Sequence, residues 1–276
     1  MNYRHAYHAG NFADVHKHVA LVAVLSHLRK KETPFAVIDT HAGRGLYDIA
    51  SEAASRTGEA AQGIARLAGF APQEPVLQTY LEIARSFGAG CYPGSPLIAS
   101  KVLRERDRLV AIEKHPDEFA ALKASLAPFH RAKAVEGDGY ERLASLLPPP
   151  ERRGLVLLDP PYESPDECDA LVAAFRSAVR RFATGIYLIW YPLKAAARFE
   201  ALAGEILAAG GTRLLSLTFD VGGAAAPERL SASGLLVVNP PYGFDAQMRA
   251  TCEDLLAQLR QGPQGRAAVD WLGGPG

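Results

Sequence analysis

The stretch Gly154-Leu155-Val156-Leu157-Leu158-Asp159-Pro160-Pro161-Tyr162 governs how the rest of the chain reads. Its unbroken apolar run predicts a strand buried on both faces, as in a parallel sheet covered by helices. The run stops at Asp159, and the two prolines fix φ in the turn and offer no backbone donor. An aspartate side chain followed by a proline carbonyl can accept both hydrogens of one exocyclic amino group, turning the nitrogen lone pair out of the ring system. Tyr162 offers a flat face for stacking a heterocycle. The same four residues also read as a strand-ending turn closed by an aromatic, because prolines after a strand are ordinary punctuation. The flanking sequence has to decide.

Outward from this strand, aliphatic runs alternate with amphipathic stretches. Strands are predicted at Val37–Asp39, Arg108–Glu113, Ala132–Glu136, Leu155–Leu158, Ile186–Trp190, Leu214–Phe219 and Leu235–Val238. Helices are predicted over 11–30, Pro116–Leu126, Tyr140–Leu147, Asp166–Phe182, Lys194–Ala209 and Asp245–Arg260. Such alternation predicts an α/β fold, a seven-stranded and mostly parallel sheet with helices on both faces. The last two strands have no helix between them, which predicts an antiparallel hairpin at one edge. Residues 46–93 break the rhythm with helical stretches around Gly58–Ala68 and Pro75–Phe87 and no convincing strand. They read as an inserted helical subdomain within a main domain of residues 1–45 and 94–262, which carries an N-terminal helical segment over 1–31. The Gly- and Pro-rich tail, 263–276, reads as weakly ordered.

Thirty basic and thirty acidic residues give no net charge, so a polyanionic partner would have to be met by a local patch. Candidates are Arg4 with its histidines, Arg29-Lys30-Lys31, Arg152-Arg153 and Arg180-Arg181, each also readable as a solvated face. Cys91, Cys168 and Cys252 form no Cys-x-x-Cys pair, which argues against a zinc ribbon or a disulfide framework. His16 and His18 lack helical ligand spacing and a carboxylate–cysteine set, so no metal is expected. The N-terminus has no apolar signal core and no stretch reaches membrane-spanning length, so a cytoplasmic location is expected.

Four predicted strand ends carry acidic residues. Asp39 opens Asp39-Thr40-His41-Ala42-Gly43-Arg44-Gly45, where glycines let a ligand approach the backbone. Glu113 can bind ribose hydroxyls, Asp138-Gly139 an adenine amino group, and Asp159 the acceptor amine. One acidic strand end is commonly a helix cap, whereas four at one edge point to a shared site.

This constellation resembles the class I S-adenosylmethionine-dependent methyltransferases, a Rossmann-like fold. The resemblance narrows with the opening Tyr3-Arg4-His5-Ala6-Tyr7-His8-Ala9-Gly10-Asn11, then Asp14-Val15, Lys17-His18, Tyr92-Pro93-Gly94-Ser95-Pro96, Asp138-Gly139 and Arg181-Phe182-Ala183-Thr184-Gly185-Ile186-Tyr187. In this order, and spanning nearly the whole chain, they are similar to the bacterial 23S ribosomal RNA adenine-N6 methyltransferase J family. The resemblance implies a monomer that methylates the exocyclic N6 of one adenine in naked 23S ribosomal RNA before ribosome assembly, leaving S-adenosyl-L-homocysteine. It implies cofactor contacts at His18, His41, Gly43, Ser95, Glu113, Asp138, Gly139 and Asp159. It also implies catalysis by Asp159 with Pro160 and Tyr162, and RNA contacts at Tyr3, Arg4 and Tyr162. Arg44 departs from the broad superfamily, where a small residue is commoner between the loop glycines.

Asn239-Pro240-Pro241-Tyr242 competes with the first motif, since asparagine versions also serve amino-methylating enzymes. It ends the last predicted strand, in the edge hairpin, whereas Asp159 ends a strand placed beside the first. The assignment therefore goes to Asp159, with the Asn239 set structural or lining the substrate cleft. Two other functions stay open on the residues alone: a DNA adenine-N6 or cytosine-N4 methyltransferase, and a nucleotide- or RNA-binding module without catalysis.

Overall fold

Alternation along single strands builds this molecule in layers. In the run Gly154–Leu158 every residue is buried, with Leu155 and Leu157 facing one apolar layer and Val156 and Leu158 the other. A computed structural model describes residues 8–51, 57–193, 196–223 and 230–274. Its strands are β1 (Ala36–Asp39), β2 (Leu46–Asp48), β3 (Cys91–Pro93), β4 (Arg108–Glu113), β5 (Ala132–Glu136), β6 (Gly154–Leu158), β7 (Ile186–Pro192), β8 (Leu214–Asp220), β9 (Ala232–Val238) and β10 (Arg266–Trp271). Its α-helices are α1 (Phe12–Arg29), α2 (Glu59–Gln62), α3 (Pro75–Arg85), α4 (Ser95–Val102), α5 (Pro116–Leu126), α6 (Gly139–Leu146), α7 (Glu167–Arg181), α8 (Ala196–Ala208) and α9 (Phe244–Leu259).

The main sheet has the order β10-β8-β9-β7-β6-β1-β4-β5. The five strands from β7 to β5 are parallel, while β9 runs against both β7 and β8, and β10 against β8. Helices α1, α3, α4, α5 and α9 supply the apolar layer on one face, and α6, α7 and α8 that on the other. This is the doubly wound α/β architecture read from the sequence, and its order reverses at β1, where such sheets place ligands.

The fold differs from the expected one in three places. It has eight strands, because Arg266–Trp271, expected to be weakly ordered, pairs along the whole of β8. An unpaired edge strand is a row of open donors and acceptors, and the glycines and proline of 262–265 form the turn that lets β10 cover it. Within 46–93, β2 and β3 pair antiparallel at the neck of the segment; three-residue strands are too short to show a period. Ser95–Val102 forms a helix, with Pro96 in its first turn where no backbone donor is missed. Leu67, Leu77 and Tyr80 from the 46–93 segment join the same apolar layer as α1.

Helix α1 is unusual in being buried almost all round, from Phe12 to Leu25. Its three valines between 19 and 24 and the one at 15 cost a few tenths of a kcal/mol each in helix propensity. Burying each returns roughly 1.5–3 kcal/mol, so packing, not propensity, holds this helix. Such a helix must give partners to any polar residue it carries, and α1 carries Asp14, His16, Lys17 and His18. Among the described residues no helix is long and apolar enough to cross a membrane, and no group of three or more His, Cys, Asp or Glu could hold a metal ion.

Candidate active site

The order β6-β1-β4-β5 brings the four acidic strand ends side by side at the carboxyl edge. Asp39 ends β1, Glu113 ends β4, Asp138 follows β5 and Asp159 follows β6. Thr40 ties two of these strands together: its N–H and its hydroxyl both donate to the Leu157 carbonyl, at 3.1 and 2.8 Å.

Lys17, on α1, reaches the motif. Its Nζ donates to Asp159 Oδ2 at 2.5 Å and to Asp14 Oδ1 at 3.0 Å, with all three side chains largely enclosed. Burial by itself would lower the Lys17 ammonium, but Asp159 and Asp14 more than reverse this and hold it above the ordinary lysine range. Asp14 is fixed in turn by the Gly10 N–H, which donates to its Oδ2 at 3.0 Å, and its own N–H donates to Asn11, the N-cap of α1. Lys17 Nζ also lies 5.8 Å from the centre of the Trp190 ring. Sequence reading placed Lys17 in a motif but gave it no role. The available signal was an Asp-x-x-Lys pair inside a largely apolar helix.

Tyr162 adopts a left-handed backbone, φ 52°, a conformation that costs a bulky residue of order 1 kcal/mol or more. Its hydroxyl donates to the Trp190 carbonyl at 2.7 Å, and its ring lies 5.9 Å from the indole. The ring is thereby anchored to β7, and Pro160 in the same motif is buried.

The loop after β1 is held from both sides. Gly43, at φ 60°, donates its N–H to Glu113 Oε2 at 2.9 Å, and Glu113 Oε1 accepts from the His115 N–H at 2.7 Å. Burial raises the Glu113 carboxyl above its usual range despite these bonds. Ser95, in the first turn of α4, donates to Asp39 Oδ2 at 2.6 Å. Asp39 is buried, which, opposed by the Ser95 bond and reinforced by Asp159, pushes its carboxyl up to about 7. His41 packs edge-on against Tyr140, ring centres 4.9 Å apart, and burial pushes its imidazole down to about 4.

Asp138 caps α6, accepting from the Tyr140 and Glu141 N–H groups, and its other oxygen accepts from Lys114 at 2.9 Å. Burial raises its carboxyl, but Lys114 and those backbone bonds carry it below the usual range. The capping reading therefore holds for Asp138, alongside its place at the shared edge. Gly139 is required by space: a Cβ there would stand 2.1 Å from the Thr40 carbonyl oxygen. His18 is buried, its Nδ1 2.7 Å from the Tyr92 hydroxyl, which lies 3.0 Å from that of Tyr80. This chain joins α1 to β3 and α3. Tyr3 and Arg4 lie outside the described residues.

The second motif sits elsewhere. Because β9 runs against β7, Asn239 emerges at the amino edge of the parallel strands, away from Asp159. Here the asparagine takes the left-handed conformation, φ 54°, and its Nδ2 donates to the Ala183 and Gly185 carbonyls, both at 2.8 Å. Tyr242 is 97% exposed. The two tetrapeptides share residues but not backbone shape or location, and the Asn239 set pins the turn before β7.

The chain is 37% identical over 276 residues to the Ribosomal RNA large subunit methyltransferase J of Escherichia coli strain K12, covering 99% of each. It is 35% identical over 277 residues to the protein of the same name from Haemophilus influenzae, again covering 99% of each. A crystal structure of a Legionella pneumophila protein superposes with a TM-score of 0.87 at 31% identity, covering 96% of this chain and 98% of that one. A family profile described as Ribosomal RNA large subunit methyltransferase D, RlmJ, matches residues 32–273, and the chain belongs to that family.

Proposed function

We propose that the chain transfers a methyl group from S-adenosyl-L-methionine to the exocyclic N6 of one adenine in 23S ribosomal RNA, before ribosome assembly. The observation that carries this reading is the placement of Asp159-Pro160-Pro161-Tyr162 beside the β1 loop, with Lys17 clamping one oxygen of Asp159. The names of the two relatives, which are methyltransferases of large-subunit ribosomal RNA, support the substrate class.

The residues at the carboxyl edge fit the cofactor. It is a sulfonium and ammonium cation with ribose hydroxyls that need acceptors, and this edge is lined by carboxylates. Glu113, Asp138 with Gly139, Ser95, His41, Gly43 and His18 would hold it, with Asp159 at the boundary towards the acceptor. Bound there, it supplies an electrophilic methyl group on a sulfonium sulfur.

The chain's own residues prepare the amine. With Oδ2 committed to Lys17, Asp159 presents Oδ1, and the Pro160 carbonyl is the second acceptor. Two N–H donors held there favour a pyramidal nitrogen and stabilise the positive charge that grows on it. Asp14, Lys17 and Asp159 together carry one net negative charge, which suits a cationic donor and a nitrogen turning cationic. Tyr162, anchored through its hydroxyl, offers the stacking face, and Tyr3 and Arg4 contact the RNA. An adenine in a loop, bulge or helix end would be unstacked into this pocket. Fixed alignment of this kind can remove several kcal/mol of the barrier.

The test is transfer of tritiated methyl to deproteinised 23S RNA, to assembled large subunits and to duplex DNA, followed by nucleoside mass spectrometry. The reading requires N6-methyladenosine in the naked RNA alone. Efficient modification of DNA, or a product other than N6-methyladenosine, overturns it.

A further inference from the structure

At the amino edge of the parallel strands, opposite Asp159, basic residues from three separate parts of the chain meet at the C-terminal end of α1. Arg104 donates from Nη1 to the Lys31 carbonyl at 2.9 Å and from Nη2 to the Thr33 carbonyl at 3.3 Å. Arg153 donates to the same Thr33 oxygen at 2.9 Å and to the Leu28 carbonyl at 2.6 Å. Both guanidinium groups lie over the Phe35 ring, 5.6 and 6.0 Å from its centre. The crowding has an electrostatic signature. His27 is pushed down by burial and then by Lys30, Arg153 and Lys31, and Arg153 by burial and then by Arg104.

A helix C-terminus attracts cations to its open carbonyls. That accounts for Arg104 and Arg153, whose donors are spent on those carbonyls and, for Arg104, on Asp107. It does not account for Arg29, Lys30, Lys31 and Arg152, which are exposed and whose side chains have no hydrogen-bond or ion-pair partner among the described residues. The acids nearby are engaged: Asp107 by Arg104, Glu151 by Arg108, and Glu105 by His130 and Arg131. Among the described residues, only Glu32 stands beside the free cations without a bonded partner. In a chain of zero net charge, this is a local positive field.

We propose that this cluster is an exosite for the phosphate backbone of the RNA substrate, remote from the base being methylated. The proposal rests on the reading that the substrate is ribosomal RNA. Lys30 lies thirteen residues along α1 from Lys17, roughly 20 Å at the α-helical rise, a distance that a stem of several base pairs spans. Exposed lysines and arginines with no fixed geometry recognise phosphates, not bases, so the contact adds affinity and salt sensitivity without choosing the sequence.

The test is the full chain with Lys30→Gln, Lys31→Gln and Arg152→Gln together, beside a charge-conserving Lys30→Arg, Lys31→Arg, Arg152→Lys control. Two RNAs are compared: a minimal acceptor hairpin, and a longer 23S fragment carrying the same hairpin with its flanking stems. Fluorescence anisotropy between 50 and 200 mM salt gives Kd, and single-turnover methylation at saturating RNA gives the rate. On the long RNA the neutral variant should bind about tenfold more weakly at low salt, with the slope of log Kd against log salt reduced by about 2–3. Hairpin affinity and saturated rate should stay at the parent values, and the control should match the parent throughout. Unchanged affinity and slope on the long RNA overturn the exosite, as does an equal loss on both RNAs. Loss of binding to vesicles of acidic phospholipid, with RNA binding kept, assigns the patch to a membrane surface and also overturns it. A parent enzyme that methylates neither RNA overturns the functional reading itself, an outcome distinct from the others.

Discussion

Asp14, Lys17 and Asp159 form a chain of alternating charges whose middle member is enclosed in protein. Breaking a buried pair by removing one partner costs about 3–5 kcal/mol, because the remaining charge has no solvent to turn to. Lys17→Met should therefore lower unfolding free energy by about that amount in urea titrations, and Asp14→Asn added to it should recover part of the loss. A loss below about 1 kcal/mol would mean the three groups are effectively solvated. His16, two helical positions from His18, makes a different statement. Its ring is buried against Phe219, its Nδ1 lies 3.3 Å from Ser233 Oγ, and its Nε2 has no partner among the described residues. Burial pushes this imidazole down to about 3, whereas in the unfolded chain it takes a proton near 6.5. Between those limits the unfolded state binds more protons, so stability falls as pH drops. Asp39 acts the opposite way: its raised carboxyl gives stability that is present below its unfolded value and lost as pH rises through about 7. Comparing parent with His16→Gln isolates the histidine; between pH 7 and 5 the parent should lose about 1–2 kcal/mol relative to the variant. Equal losses would show that His16 is protonated in place. Asp159 and the other acidic strand ends were legible because a carboxylate at the end of an aliphatic run leaves a local trace. The partnership of Lys17 was not, because 142 residues separate it from Asp159.

Among the elements, the loop 39–45 depends on a strand it is not continuous with. Glu113 holds the Gly43 N–H, so its removal both loosens the loop and deletes the proposed ribose acceptor. Glu113→Ala should weaken S-adenosylmethionine binding by about 1.5–3 kcal/mol in isothermal titration; unchanged affinity would leave Glu113 as a loop anchor alone. At the far edge, β10 covers β8 and is itself tied down by Trp271, whose indole N–H donates to Asp245 at 3.1 Å. Ending the chain at Gly262 should expose the β8 edge, lower the melting temperature and promote self-association visible by light scattering. A truncated chain as stable and monodisperse as the parent would show that β10 is dispensable. Apart from α4, the helices and long strands were readable from period and punctuation, with ends shifted by one to three residues. β2, β3 and β10 were not. The first two are too short to carry a pattern, and the third follows glycines and a proline that serve as its turn.

At the scale of the whole molecule, the two sheet edges divide the chemistry. The carboxyl edge gathers carboxylates, and the amino edge gathers cations and the second tetrapeptide. Asp159→Ala should abolish methyl transfer while leaving cofactor affinity largely intact. Asn239→Ala should reduce activity modestly at most, since its bonds run to the Ala183 and Gly185 carbonyls on the other side of the sheet. Total loss in a folded, cofactor-binding Asn239 variant would reverse the choice between the motifs. The enclosure of α1 has a further consequence, for biosynthesis. This helix is made well before the strands that complete its burial: His16 packs on Phe219 and meets Ser233, 217 positions on. At about 5–20 residues per second, roughly 10–40 seconds pass between synthesis of His16 and of Ser233, and through that time the face of α1 that meets β8 and β9 is uncovered. During that interval the chain is a client for any holding factor that binds apolar helices, and α1 cannot be fully enclosed until β9 has been made.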